Sequence, residues 1–245
     1  MASSVRDHYV NHLGPVYTWM MGDMDAAFSR SDAELDALSP PSNGAAAAID
    51  LGAGFGLHAI PLARRGYSVV AIDNCEPLLE ELEARAGALP IRVINGDLLR
   101  FREHIEAPAD VIVCMGDTLT HLPDPPSVAA LLRDVAASLT AGGLFAATFR
   151  DYAAPLQGDA RFIPVRADDH RVMTCFLEYG DSTVTVHDLL HEREGKTWRL
   201  RVSSYHKLRL SPTWVAAQLS SLGLAVSSGV TPSGMIRIGA RKAST

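Results

Sequence analysis

Hydrophobic and polar positions follow two different patterns along the chain, and the change falls near Arg150. Before it, short apolar runs alternate with stretches of helical periodicity. The runs that predict strands are residues 45–51, 68–72, 91–94, 109–115 and 143–149, and the stretches that predict helices are residues 58–65, 76–85 and 126–139. Strands that alternate with helices are typical of a parallel sheet covered on both faces. This part of the chain therefore predicts a doubly wound, Rossmann-like α/β sheet.

Beyond this sheet, apolar and polar residues alternate with a period of two, which is the pattern of antiparallel strands. The strands predicted in this way are residues 162–165, 172–179, 182–191 and 197–210. We interpret them as an antiparallel β insertion, at about residues 160–210, after the fifth strand of the sheet. Ser211 then predicts the cap of a helix that ends near Leu222, and residues 225–228 and 235–240 predict the last two strands.

The N-terminal part of the chain differs in composition and pattern from the rest. It begins with an aromatic-rich stretch, and further on Ser31 and Glu34 form a capping-box pattern that predicts the start of a short helix. Residues 39–44, rich in Ser, Pro, Asn and Gly, break regular structure. We therefore expect residues 1–44 to form an N-terminal helical lid segment and residues 45–245 to form one domain.

Composition narrows the class of partner. A chain of 245 residues with 47% hydrophobic residues can bury the core of one domain. Its 22 basic and 28 acidic residues give a net charge of −6, which argues against nucleic acid and favours a small molecule as partner. Because no apolar run is long enough to span a bilayer and the N-terminus lacks a signal-peptide pattern, we expect a cytoplasmic protein without a membrane partner. Whether it forms a homo-oligomer stays open.

The three cysteines, Cys75, Cys114 and Cys175, are widely spaced. Neither a disulfide framework nor a zinc site is suggested by this spacing, and reduced thiols are expected. His187 and His191 lack the pattern of a zinc-binding helix and lie in a predicted strand, so no metal is expected there. The basic residues that alternate with apolar ones over residues 199–209 indicate a solvated strand face.

A glycine-rich loop carries the clearest functional signal. The first predicted strand ends in Asp50, and Gly52, Gly54 and Gly56 follow before the first helix. Glycines leave the backbone open to a ligand, but the dinucleotide-binding spacing would require glycine where Leu57 stands. Asp50 would repel a pyrophosphate and suits a ligand that carries an ammonium group.

Two more acids follow neighbouring strands. Asp73 ends the second strand, seventeen positions after Gly56, and can accept hydrogen bonds from both hydroxyls of a ribose. Asp97 follows the third strand and is suited to accept from an adenine amino group. Each acid alone could be an ordinary turn residue. The ordered set with the glycines resembles the class I S-adenosylmethionine-dependent methyltransferases over about residues 45–149.

This resemblance implies S-adenosyl-L-methionine as the cofactor and S-adenosyl-L-homocysteine as its product. The implied cofactor contacts are Trp19, Asp50, Gly52, Ala53, Gly54, Gly56, Asp73, Asn74, Gly96, Asp97, Leu98, Met115, Gly116 and His121. Residues 45–245 are then a methyltransferase domain.

The methyl acceptor should lie at the carboxyl ends of the fourth and fifth strands. Three segments resemble glycine and sarcosine N-methyltransferases: residues 17–23, residues 114–122 and residues 148–152. The candidates for catalysis or acceptor binding are Tyr17, Asp117, His121 and Arg150.

The resemblance implies that Arg150 holds a substrate carboxylate; the alternative is a structural ion pair. The family has asparagine in place of Asp117, so this carboxylate could act as a base or attract a cationic amine. His121 could be a general base, a cofactor contact or an ordinary helix-start residue. Tyr17, with Tyr9 and Trp19, could exclude water as a lid or simply pack the segment against the core.

These features favour methyl transfer from S-adenosylmethionine to a small molecule, with the acceptor an amine nitrogen of a carboxylate-bearing or natural-product substrate. Three alternatives remain from the sequence: a small-molecule O-methyltransferase, a non-catalytic module that binds the cofactor, and a nicotinamide-dependent redox enzyme.

Overall fold

A computed structural model describes residues 4–41 and 46–244. Its larger sheet has the strand order β10-β11-β5-β4-β1-β2-β3. The strands are β1 (Ala47–Leu51), β2 (Ser68–Asp73), β3 (Ile91–Asn95), β4 (Ala109–Cys114), β5 (Leu139–Phe149), β10 (Leu224–Val230) and β11 (Ile236–Lys242). β1 to β5 pair in parallel, and β11 pairs antiparallel with both β5 and β10. The order reverses between β1 and β4, where an open α/β sheet forms its ligand crevice.

Helices cover both faces of this sheet. They are α3 (Met24–Leu38), α4 (Ala59–Arg64), α5 (Glu76–Ala86), α6 (Pro125–Ser138) and α7 (Pro212–Ser221). Alternate residues of β4 point to opposite faces: Ile112 belongs to the core under α6 and α7, and Val111 and Val113 belong to the core under α3, α4 and α5. The parallel strands are therefore apolar on both sides, which explains their continuous hydrophobic runs. The predicted doubly wound α/β fold is confirmed.

The predicted β insertion is also present. A separate antiparallel sheet has the order β6-β7-β8-β9. Its strands are β6 (Phe162–Ala167), β7 (Arg171–Tyr179), β8 (Thr183–Glu194) and β9 (Thr197–Leu208). The N-terminal segment packs on it as α1 (Val5–His8), a π-helical turn (Tyr9–Leu13) and α2 (Gly14–Met21).

The capping-box prediction at Ser31 and Glu34 is wrong. Helix α3 begins at Met24, because the Asp23 side chain accepts from the Ala26 N–H and caps the helix earlier. Ser31 is buried in the middle of the helix.

Other differences concern element ends. β5 begins at Leu139, where α6 ends, and not at the two glycines inside it. The predicted start of β1 at Ala45, and residues 42–44 of the predicted break, lie outside the described residues. Within residues 4–41 and 46–244, no helix combines the length and the apolar character that crossing a bilayer requires.

Candidate cofactor and acceptor site

A cavity of about 590 Å³ opens at the carboxyl ends of β1 to β4. Its size falls within the range of small-molecule sites. Its walls come from the four loops after these strands, and the N-terminal segment contributes Val5, Arg6, Tyr9 and Tyr17 to the lining. The predicted cofactor contacts on its wall are Gly52, Ala53, Gly54, Asp73, Asn74, Gly96, Asp97, Leu98, Met115, Gly116 and His121.

Each glycine of the loop after β1 is required, but the physical reason differs from one glycine to the next. Gly52 and Gly54 have φ values of +81° and +51°. A Cβ on Gly52 would lie 2.5 Å from the Thr118 side chain, which packs directly against this glycine. Gly56 does not line the cavity, and a Cβ there would collide with Leu82, so its role is helix packing. Gly52 and Gly54 therefore keep the backbone open to a ligand.

Asp73 and Asp97, the predicted partners of a ribose and an adenine, both line the cavity. Asp73 accepts from the Gly54 N–H through Oδ2 and from the Cys75 N–H through Oδ1, both at 2.8 Å. Burial raises the pKa of Asp73, although these N–H groups oppose the rise. Each carboxylate oxygen can accept a second hydrogen bond, which suits ribose hydroxyls. Asp97 uses Oδ1 to accept from the Leu99 N–H, so Oδ2 can accept from an adenine amino group.

Asp50 does not line the cavity, and its predicted contact with an ammonium group stays a prediction. Its carboxylate is buried behind the loop, where the Ala59 N–H donates to it. Oδ2 has no partner among the described residues, and burial raises the pKa of Asp50 to about 6. A buried carboxylate behind the loop still favours a cationic ligand in front of it.

Trp19 also does not line the cavity, and its predicted cofactor contact stays a prediction. Its indole Nε1 donates to Asp168 at 2.5 Å, and its ring lies within 5.8 Å of the Arg166 and Arg171 guanidiniums. Both arginines belong to the antiparallel sheet. Trp19 therefore anchors the N-terminal segment to that sheet.

The N-terminal segment bridges the cavity rim and the antiparallel sheet. His8 is buried and contacts Asp188 through Nε2 and Ser203 through Nδ1, both at 2.8 Å. On the other side, Arg6 Nε donates to the Asn74 carbonyl at 3.3 Å. These contacts hold Tyr9 and Tyr17 over the cavity.

His121 lies among aromatic rings. Its ring centroid is 5.4 Å from that of Tyr9 and 5.7 Å from that of Tyr205, a residue of β9. Burial and the nearby ammonium of Lys207 lower the pKa of His121 to about 3. The imidazole is therefore neutral at physiological pH, and Nε2 has no hydrogen-bond partner in the part of the chain that is described. It can accept or donate a hydrogen bond, but it is too weak a base to deprotonate an ammonium group.

Asp117 does not line the cavity, and its predicted role as a base stays a prediction that its hydrogen-bond partners do not favour. Its Oδ2 accepts from Lys207 Nζ at 2.5 Å and from the Tyr152 hydroxyl at 3.2 Å. Its Oδ1 accepts from the Arg150 backbone N–H at 2.9 Å. Burial opposes ionisation, but the Lys207 ammonium, His121 and the Arg150 backbone N–H together outweigh it and hold the pKa of Asp117 below its usual value. The carboxylate is charged, buried and already neutralised, so it does not attract a substrate amine.

Arg150 is the exposed member of this group. Its side chain is 55% exposed, and Nε is 4.0 Å from Asp117 Oδ2. It does not line the cavity. Its guanidinium is thus close to one acid but retains most of its hydrogen-bonding capacity.

Lys207 was missed as a site residue, and the prediction of a solvated strand face fails at this position. Lys207 is 7% exposed, and its register partner on β8 is the buried Val184. The period of two in β9 puts it on the same inward face as Tyr205, which was a usable signal. The sequence does not reveal that Lys207 pairs with Asp117, because the two residues are far apart in the chain.

His187, one of the two histidines of the discounted His187 and His191 pair, has hydrogen-bond partners of its own. His187 contacts Glu178 at 3.2 Å and Ser204 at 2.8 Å. Across residues 4–41 and 46–244, no group of three His, Cys, Asp or Glu side chains is arranged to hold a metal ion.

Comparisons with known proteins agree with this geometry. Residues 48–143 match the family model described as a methyltransferase domain. A glycine/sarcosine N-methyltransferase of Aphanothece halophytica is 30% identical over 120 residues, 47% of this chain and 45% of that protein. A cypemycin N-terminal methyltransferase of a Streptomyces species is 32% identical over 39% of this chain and 38% of that protein. The chain spans less than half the length of these curated relatives.

Solved structures are similar over nearly the whole chain. The CcbJ methyltransferase of Streptomyces caelestis aligns with a TM-score of 0.76 at 21% identity, covering 96% of this chain and 98% of that one. An amino pentose methyltransferase of Micromonospora echinaspora, solved with S-adenosylmethionine, aligns with a TM-score of 0.75 at 16% identity, covering 94% and 97%. The predicted class I methyltransferase fold is confirmed.

Proposed function

We propose that the chain transfers the methyl group of S-adenosylmethionine to an amine nitrogen of a small molecule that bears a carboxylate or belongs to a natural product. One observation carries the proposal: a single cavity has the glycine loop, Asp73 and Asp97 on one side and Tyr9, Tyr17 and His121 on the other. The first set suits the nucleoside of the cofactor, and the second suits the region around the reacting atoms. The bound cofactor supplies a methyl group on a sulfonium.

The chain's own residues then bind, orient and exclude water. Asp73 would accept from the ribose hydroxyls and Asp97 from the adenine amino group. Tyr9 and Tyr17 offer ring faces to a cation and shield it from water. Burial raises the pKa of both phenols, so each stays neutral and keeps a hydroxyl donor. His121 would accept a hydrogen bond from the acceptor amine. This contact would orient the lone pair of the amine nitrogen toward the methyl group.

The proton balance favours an amine over an alcohol. A neutral amine can attack without a base, whereas an alcohol needs one. His121, with a pKa near 3, is a poor base, and Asp117 is neutralised by Lys207. The lack of a suitable base therefore makes O-methylation the less favoured of the two reactions. The names of both curated relatives also describe methylation at an amine, which is said of those proteins and supports the proposal here only as an analogy.

A net positive charge beside the site favours a carboxylate-bearing acceptor. Lys207, Arg150 and Asp117 together carry one net positive charge, and the exposed guanidinium of Arg150 is where it is available. A planar guanidinium matches a carboxylate bidentately.

Self-association and the absence of a nucleic-acid partner stay predictions, which light scattering and a DNA-binding assay would test.

Titration calorimetry and an acceptor panel test the proposal. S-adenosylmethionine should bind and NAD should not. Asp73→Asn should weaken S-adenosylmethionine binding at least tenfold through lost ribose hydrogen bonds, about 1.4 kcal/mol or more. Asp159→Asn, an exposed position far along the chain, is the matched control. Methylation of glycine and sarcosine would support the acceptor class, whereas cofactor binding with no turnover on amines or alcohols would indicate the non-catalytic module.

A further inference from the structure

Lys207 is a buried cation on the inserted sheet, and it reaches the loop after β4. We propose that Lys207 is a positioning residue, which takes up the charge of Asp117 and so leaves Arg150 free to bind the carboxylate of an acceptor. The inference rests on the proposed function, since it assigns how that site selects its substrate.

Asp117 has two cationic neighbours, and it contacts Lys207 much more closely than Arg150. Lys207 Nζ is 2.5 Å from Asp117 Oδ2, and both side chains are less than 10% exposed. Arg150 Nε is 4.0 Å from the same oxygen, and its side chain is 55% exposed. Because the buried pair is closer and shielded from water, it dominates the electrostatics of Asp117.

Asp117 also fixes the backbone from which Arg150 extends. Its Oδ1 accepts from the Arg150 N–H at 2.9 Å, and Oδ2 accepts from the Tyr152 hydroxyl at 3.2 Å. It therefore joins the end of β5 to the loop after β4, while Lys207 joins both to β9. With Lys207 in place, the Asp117 carboxylate accepts from the backbone N–H of Arg150, and it does not need the Arg150 guanidinium to balance its charge.

Charge balance gives the consequence of removing Lys207. A buried carboxylate that loses its partner is costly, so Asp117 would recruit the nearest cation or take up a proton. The guanidinium of Arg150 has only to shorten a 4.0 Å separation to replace the ammonium. The group would then carry no net charge, and the arginine would no longer be available to a substrate.

Four variants separate this role from simple stabilisation. Lys207→Met removes the charge, and Lys207→Arg keeps it. Asp117→Asn with Lys207→Met removes both charges and frees Arg150 again. Lys196→Met, at an exposed hairpin tip, is the control for losing a lysine.

The first readout needs no acceptor. The Nε–H signal of Arg150, assigned by its loss in Arg150→Lys, is followed by NMR in the complex with S-adenosylhomocysteine. We expect its exchange with water to slow at least fivefold in Lys207→Met, because the guanidinium becomes paired, and to return to the original rate in the double variant. Unchanged exchange in Lys207→Met overturns the proposal, whatever the acceptor is.

The second readout is binding of glycine, with glycinamide as the probe that lacks the carboxylate. Lys207→Met should weaken glycine binding about tenfold and leave glycinamide unchanged, and the double variant should recover to within about twofold. A double variant as weak as Lys207→Met contradicts the charge-balance argument. If the native chain methylates no amine while the Arg150 signal still responds as expected, the proposed function fails and the positioning role stands.

Discussion

Gly52→Ala tests how the glycine loop after β1 makes room for the cofactor. An alanine would have to adopt φ near +81°, which costs about 1–2 kcal/mol, and its Cβ would lie 2.5 Å from Thr118. Thr118 cannot easily move aside, because its hydroxyl donates to the Met115 carbonyl at 2.8 Å. Overpacking of this kind costs about 1–3 kcal/mol, so the loss should be about 2–5 kcal/mol in total. Cofactor affinity should fall more than tenfold, because any loop shift displaces the Gly54 N–H from Asp73.

Urea unfolding and calorimetry with S-adenosylhomocysteine measure both effects. Thr118→Ala in the Gly52→Ala background removes the colliding atoms and should restore about 1–3 kcal/mol, while the cost of the positive φ remains. In the unfolding measurement, Gly54→Ala is the matched control for backbone strain without a collision, since the nearest atom to its Cβ would be 3.8 Å away. A Gly52→Ala chain as stable as the native one, or no recovery on adding Thr118→Ala, would refute the steric account.

Three further outcomes are expected. The pKa of Asp50 rises from 3.8 to about 6 on folding, so the native chain binds more protons than the unfolded chain between these values. The free energy of unfolding should fall by about 3 kcal/mol as the pH rises through this window, and Asp50→Asn should flatten the slope in urea titrations at several pH values. Trp19→Ala should lower the free energy of unfolding by about 2–3 kcal/mol but change S-adenosylhomocysteine affinity less than twofold, since the indole anchors the segment; a large affinity loss would restore its cofactor role. The pH profile of kcat/KM should rise toward the pKa of the acceptor amine with no step near 6.5, and such a step would identify His121 as a base after all.

The cofactor half of the site was readable from the sequence because it is built locally. Gly52, Asp73 and Asp97 each follow directly on a strand, and parallel strands bring their carboxyl ends to one edge. Strand periodicity therefore predicted both the fold and the wall of the cavity. Asp50 was the exception, since its position in the sequence did not reveal that its side chain lies behind the loop.

The acceptor half was less readable because its contacts join distant segments. Local sequence shows Asp117 as a carboxylate without a partner, and only the packing of β9 against the loop after β4 pairs it with Lys207. The contact of Trp19 with Asp168 is equally non-local, because Asp168 lies in the turn between β6 and β7 of the inserted sheet. Local patterns do not encode which buried charges meet across two sheets.

Transfer of isotope-labelled methyl from S-adenosylmethionine to a panel of small amines, alcohols and amino acids tests the central claim most directly. We expect the label on an amine nitrogen, with transfer lost in Asp73→Asn and retained in Asp159→Asn. Label found only on an oxygen, or a cofactor that binds but is never demethylated by any member of the panel, would contradict it.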